Sequence, residues 1–141
     1  MKEDTTGLQF SHAQYLRKEL SKILKPQYGK YTNKSTGIEA NLNGRSLKKL
    51  GSDKAIEKTK ANGFTITEHF EGAVRIADLF QKAKLIENRP DREGHRNILS
   101  IKRFTARFKT SSGRNAKAFI TVKESVQNGH TIYSLELFSL K

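Results

Sequence analysis

The sequence predicts an α+β fold in which N-terminal helices pack on a C-terminal antiparallel sheet of about four strands. Three observations predict it. Apolar residues recur at helical spacing in Ser11–Lys25 and Thr67–Ile86, the period changes to two from Ile98 onward, and the main helical stretches precede this final run of strands.

Ser11 to Lys25 sets Tyr15, Leu16, Leu20, Ile23 and Leu24 on one helical stripe, with Ser11 as N-cap and Pro26 as stop. Gly29 to Leu42 places turn residues Asn33 to Gly37 between Tyr31 and the alternating Ile38, Ala40 and Leu42, which predicts a short hairpin or an irregular pair. Arg45 to Leu50 reads as a helical turn closed by Gly51, and Asp53 to Ala61 as a Lys-rich helix or loop ending at Asn62 and Gly63. The strongest helix runs from Thr67, its cap, to Ile86, with Phe70, Ala73, Val74, Ala77, Leu79, Phe80 and Ala83 as its apolar stripe. Asn88 to Asn97 contains Pro90 and Gly94 without periodicity and reads as an exposed loop.

Ile98–Lys109, Asn115–Ser125 and Thr131–Ser139 then form an antiparallel meander through the hairpin connections SSGRN and VQNGH. In the first of these strands Phe104, Ala106 and Phe108 share one face and Arg103, Thr105, Arg107 and Lys109 the other. The second sets Ala116, Ala118, Ile120 and Val122 against Lys117, Phe119, Thr121 and Lys123. One face should pack on the helices and the other should be cationic and hydroxyl-bearing. In the third strand apolar residues fall on both alternating sets, so the sequence leaves open whether Tyr133 or Ser134 joins the cationic face.

The 141 residues suit one compact domain, with 1–30 as an N-terminal helical segment ahead of 31–141. A net charge of +13 favours a polyanionic partner, nucleic acid first, with an acidic protein or anionic lipid as alternatives. The absence of cysteine excludes disulfides, thiolate metal sites and a thiol nucleophile. No run approaches the ~18 apolar residues of a membrane span, and MKEDTTG is not a signal peptide, so export would need an address on a longer parent polypeptide or a partner.

Four histidines are candidate acids or bases. His12, His95 and His130 fall where solvated histidines are common. His69, in the first turn of the main helix, would have its pKa lowered there and would sit near any bound anion. Strand cations often only solvate a sheet face, but Thr105, Thr121 and Ser125 accompany them here, a mixture able to hold a phosphodiester and its transition state without a metal. Phe119 and Tyr133 could stack a base or pack in the core. Asp91, Glu93 and His95 are the only compact oxygen-rich group, on a loop, and no metal ligand set or cofactor fingerprint is expected.

EHFEGAVRIADLFQKA, IKRFTARF, KAFITVKES and TIYSLE, with NKSTGIEANLN upstream, resemble the phage and polymorphic-toxin nuclease domains of the barnase, EndoU and colicin-like RNase superfamily. Within it the chain looks closest to large polyvalent protein-associated domain 3, over about Tyr31 to Leu140. The resemblance implies that 31–141 is an RNase-like toxin domain with helices over a sheet. It would be an endoribonuclease cutting RNA, often transfer RNA, without metal or cofactor, by 2′-hydroxyl attack to leave a 2′,3′-cyclic phosphate. It further implies action in the bacterial cytoplasm as part of a larger secreted or phage-carried protein, and neutralisation by an acidic immunity protein. By position, the catalytic residues would be His69, Arg103, Lys123 and Tyr133, and Arg107, Lys117, Thr121 and Ser134 would hold substrate. The competing expectations are a non-catalytic RNA- or DNA-binding module and an interaction domain for an acidic protein.

Overall fold

The computed structural model describes residues 5–90 and 98–141, and side chains from residue 12 onward within them. Helix α1 (Thr5–Leu24) opens the chain and leads through a 3₁₀ turn at Lys25–Gln27, where Pro26 ends it as expected. It begins before Ser11, and of its predicted stripe only Leu16, Leu20 and Leu24 turn inward; Tyr15 and Ile23 are exposed.

The predicted hairpin follows as strands β1 (Gly29–Thr32) and β2 (Glu39–Leu42). Three short helices come next, each with an N-cap side chain that satisfies otherwise orphaned backbone N–H groups: α2 (Gly44–Leu50) under Asn43, α3 (Asp53–Ala61) under Ser52 and α4 (Ile66–Ala73) under Thr65. Thr65 and Glu68 form a capping box, so the cap of α4 is Thr65 and not Thr67.

The single helix expected over Thr67–Ile86 is two, α4 and α5 (Ile76–Lys82), separated at Val74–Arg75. Gly72 lets α4 lie directly on the sheet: a Cβ there would come within 2.8 Å of the Phe138 ring and 2.9 Å of the Phe108 ring. Helix α5 stops where Asn33 Nδ2 donates to the carbonyls of Phe80 (2.7 Å) and Ala83 (2.8 Å), and the chain then enters strand β3 (Lys84–Pro90). Part of the expected Asn88–Asn97 loop is therefore strand, and residues 91–97, with His95, lie outside the described residues.

Strands β4 (Ile98–Lys109), β5 (Asn115–Gln127) and β6 (His130–Leu140) form the predicted meander. With β1, β2 and β3 they make a sheet of six strands, not about four, in the order β1-β2-β6-β5-β4-β3. All neighbours are antiparallel except β2 and β6, which run parallel and meet at Asn41 and Ser134. Where β2 no longer covers β6, α3 does: Thr59 Oγ1 accepts from the Leu140 N–H (3.0 Å) and Asn62 Nδ2 donates to its carbonyl (2.9 Å).

The core lies between helices and sheet, where Leu20, Leu24, Phe70, Ile76 and Phe80 meet Phe104, Ile120, Val122, Leu135 and Phe138. The β4–β5 turn is tied to α4 by Glu68, which accepts from Ser112 Oγ (2.9 Å) and pairs with Arg114 (3.1 Å). Burial acts to raise the Glu68 pKa, but the Thr65 N–H, the Ser112 and Thr110 hydroxyls and Arg114 outweigh it and hold it below the usual carboxylate value.

Candidate nucleic-acid interface

Alternation and register decide which side chains share the sheet face opposite the helices. On β4 and β5, Arg103 lies across from Thr121, Thr105 from Phe119, Arg107 from Lys117 and Ile101 from Lys123, each alternating with buried core residues. The expected substrate residues Arg107, Lys117 and Thr121 thus share this open face with Arg103 and Lys123.

On β6, Ser134 lies across from Lys123 and Tyr133 across from Glu124. Ser134 joins the open face; Tyr133 turns to the helix side. Further along, Val122 meets Leu135 and Ile120 meets Phe138, so Glu136 and Leu137 together oppose Thr121 in a β-bulge. The bulge lets both Leu135 and Phe138 face the core despite their odd spacing, which accounts for apolar residues on both alternating sets.

The bulge also delivers a residue that the sequence reading did not single out. Glu136 is only 5 % exposed, and its carboxylate lies 3.0 Å from Lys123 Nζ and 3.5 Å from Arg45 Nε, at the start of α2. Arg103 is paired at 3.5 Å with Glu87 of β3, which also meets Arg89. Lys58 of α3 lies within electrostatic reach of Arg103: although the residue as a whole is exposed, burial of its ammonium, then the charges of Lys54 and Arg103, lower its pKa. No local signal announces Glu136, because its placement depends on an inserted residue in the β5–β6 register.

Toward the β4–β5 turn the cations stand alone. Lys82, Lys84, Arg107 and Lys117 line a cleft of about 470 Å³, and Arg107, Lys109, Lys117 and Lys141 line a second of about 540 Å³. None of these six makes an ion pair among the described residues.

Two of the predicted catalytic residues lie elsewhere. Tyr133 donates to Glu124 Oε2 (3.0 Å), whose other oxygen accepts from Ser100 Oγ (2.6 Å), with the buried Lys102 at 3.7 Å. The Ser100 hydroxyl, against the effect of burial and with help from Tyr133 and Lys102, holds the Glu124 pKa below its usual value. Burial and the Glu124 carboxylate push the Tyr133 phenol up.

His69 is fully buried among the helices, with its ring edge-on to Phe138 at 5.3 Å. Its Nε2–H donates to the Leu50 carbonyl (2.8 Å), which leaves Nδ1 to accept from the Thr59 hydroxyl (2.7 Å). Burial, opposed by the Leu50 hydrogen bond, lowers its pKa to about 4. Since Phe138 belongs to the core side of the sheet, the strands separate His69 from the cations. His12 reaches Thr67 Oγ1 (3.3 Å) and His130 is exposed at the β5–β6 turn. Asp91, Glu93 and His95 lie outside the described residues, among which no group of three His, Asp or Glu side chains converges as metal ligands.

A helix-backed sheet with an open cationic face defines the class of domain. A family model described as large polyvalent protein-associated domain 3 matches residues 11–133, and the chain belongs to that family. No curated protein and no solved structure matches it. Among the described residues no helix is long and apolar enough to cross a membrane.

Proposed function

We propose that this domain cleaves RNA without a metal ion on the open face of its sheet, with the reaction centred on Glu136. The observation that carries the reading is this carboxylate, buried on a cationic face and held between Lys123 and Arg45. The resemblance to the RNase superfamily supports metal-independent RNA cleavage and roles for Arg103 and Lys123, while Glu136 stands on the geometry alone.

In the proposed reaction the Glu136 carboxylate takes the proton from a ribose 2′-hydroxyl, and the 2′-oxygen forms a bond to the adjacent phosphorus. The bond from phosphorus to the 5′-oxygen breaks, leaving a 2′,3′-cyclic phosphate. Arg103 and Lys123 stabilise the charge that builds on the phosphoryl oxygens. Lys58, whose lowered pKa makes it a better proton donor than an ordinary lysine, protonates the departing 5′-oxygen. His69 and Tyr133 hold the fold in this scheme and transfer no proton. Ser134 and Thr121 supply hydroxyls beside the phosphate. Such an enzyme would act in the bacterial cytoplasm, possess transfer RNA as one candidate target, and be silenced by an acidic immunity protein covering the open face.

The second reading is RNA binding without cleavage. It is favoured by the pairing of Glu136, since a carboxylate engaged by two cations also serves simply to anchor α2 to β6. Incubation with total RNA in EDTA, followed by mapping of fragment ends, separates the two. Cyclic phosphate ends, with DNA left intact for want of a 2′-hydroxyl, support the enzyme; salt-sensitive binding to RNA that stays whole supports the binding module.

A further inference from the structure

We infer that the end of the open face around Phe119 is a separate binding site for an unpaired stretch of RNA, distinct from the reaction centre at Glu136. This rests on the reading that the open face acts on RNA and adds which form of RNA it takes.

Charge is the first ground. At the Glu136 end Arg103, Lys123 and Arg45 each face a carboxylate of the protein itself. At the other end Lys82, Lys84, Arg107, Lys109, Lys117 and Lys141 have no such partner among the described residues. Arg107 and Lys117, opposite one another in register, wall both clefts. Adjoining clefts that share a cationic wall suit a ligand whose negative charges repeat along a chain.

An aromatic ring amid these cations is the second ground. Phe119 lies on the open face between its cross-strand neighbours Thr105 and Ser139, and Lys141 Nζ stands 6.0 Å from its ring centroid. The residue is partly exposed, whereas the core positions that alternate with it on either side are buried. A strand aromatic beside phosphate-binding cations is a stacking platform for a base. A base within a duplex is already stacked above and below, so the platform selects an unpaired one.

Thr105 Oγ1 is the third. It belongs to a residue lining the smaller cleft and is a buried side-chain oxygen without a hydrogen-bond partner. Buried hydroxyls are normally satisfied, and this one is left without a partner in the wall of the cleft that Lys84 and Arg107 also line. Arg103 and Arg107 are four residues apart on β4, about 13 Å along the strand. The reaction centre and the Phe119 site therefore hold different phosphates of one RNA strand.

The test is the affinity of wild type, Phe119→Ala and an Arg107→Ala/Lys117→Ala double variant for a fluorescently labelled, 2′-O-methylated oligonucleotide, single-stranded and as a duplex, across a salt series. All three targets are exposed or half-exposed, and circular dichroism checks that each variant is folded. Phe119→Ala should weaken single-strand binding about tenfold with the salt slope unchanged, and should leave duplex binding alone. The double variant should reduce the slope of log K against log salt by about 1.4, two phosphate contacts for a single strand. Equal binding of single strand by wild type and Phe119→Ala, or an equal loss for duplex, overturns the inference while leaving RNA cleavage at Glu136 standing. Absence of RNA binding by the wild type overturns both.

Discussion

The two faces of the sheet treat polar groups in opposite ways. On the helix side the buried and half-buried ionisable groups among the described residues have partners inside the protein: His69 has Thr59 and Leu50, Glu68 has Ser112 and Arg114, and Glu124 has Ser100, Tyr133 and Lys102. The open face leaves charge unmatched, most of all at Arg107, Lys109 and Lys117, and holds one buried carboxylate among cations. Polar groups satisfied internally specify a fold, because burying them unpaired is costly. Charges left over stabilise nothing within the chain and are available to a ligand. Changes on the helix side should therefore alter stability and spare activity, and changes on the open face should do the reverse.

The largest effect is expected at Glu136. Replacing it with Gln keeps the shape and removes the base, so cleavage in EDTA should fall by about 10²–10⁴ while RNA affinity stays within a factor of a few. An equal loss of affinity and rate would show that Glu136 organises the face and takes no proton.

Acid should act on the other face. The His69 pKa is about 4 in the folded chain and near 6.5 unfolded, so between these values the unfolded state binds the extra proton. The contribution of His69 to stability should be complete above pH 6.5 and should be lost as pH falls toward 4, by about 3 kcal/mol. Denaturant unfolding of wild type and His69→Gln across this range checks it: the variant, less stable at neutral pH, should show a flatter profile. Glu68 and Glu124, held below the usual carboxylate value, add their own losses at still lower pH.

Gly72→Ala should cost about 1–3 kcal/mol through overpacking against Phe108 and Phe138, read as a lower midpoint of thermal unfolding with cleavage per folded molecule unchanged. Tyr133→Phe removes one hydrogen bond to Glu124 and should cost about 1 kcal/mol. A large loss of cleavage in that variant would return Tyr133 to the reaction.

Much of this division is legible in the sequence, and its failures have physical causes. Strict alternation on β4 and β5 separates Arg103, Arg107, Lys117 and Lys123 from Phe104, Ala118 and Ile120, because a buried face demands it. Alternation fails on β6, where the bulge opposite Thr121 shifts the parity and hides Glu136. Strand β3 is missed because Leu85 and Ile86 fit the stripe of the preceding helix, and that helix is ended by Asn33, some fifty residues upstream. His69 resembles a reactive histidine at a helix start; its burial depends on Leu50, Thr59 and Phe138, which only the tertiary fold brings to it. Family resemblance aligned the residues along the chain without specifying the face on which each stands.

The most direct test is single-turnover cleavage of RNA in EDTA by wild type, Glu136→Gln and His69→Gln, with rates corrected for the folded fraction. Wild type and His69→Gln should release 2′,3′-cyclic phosphate ends at similar rates, and Glu136→Gln should release almost none. A Glu136→Gln protein that cuts at the wild-type rate beside an inactive His69→Gln would place the chemistry on the helix side of the sheet and contradict the account.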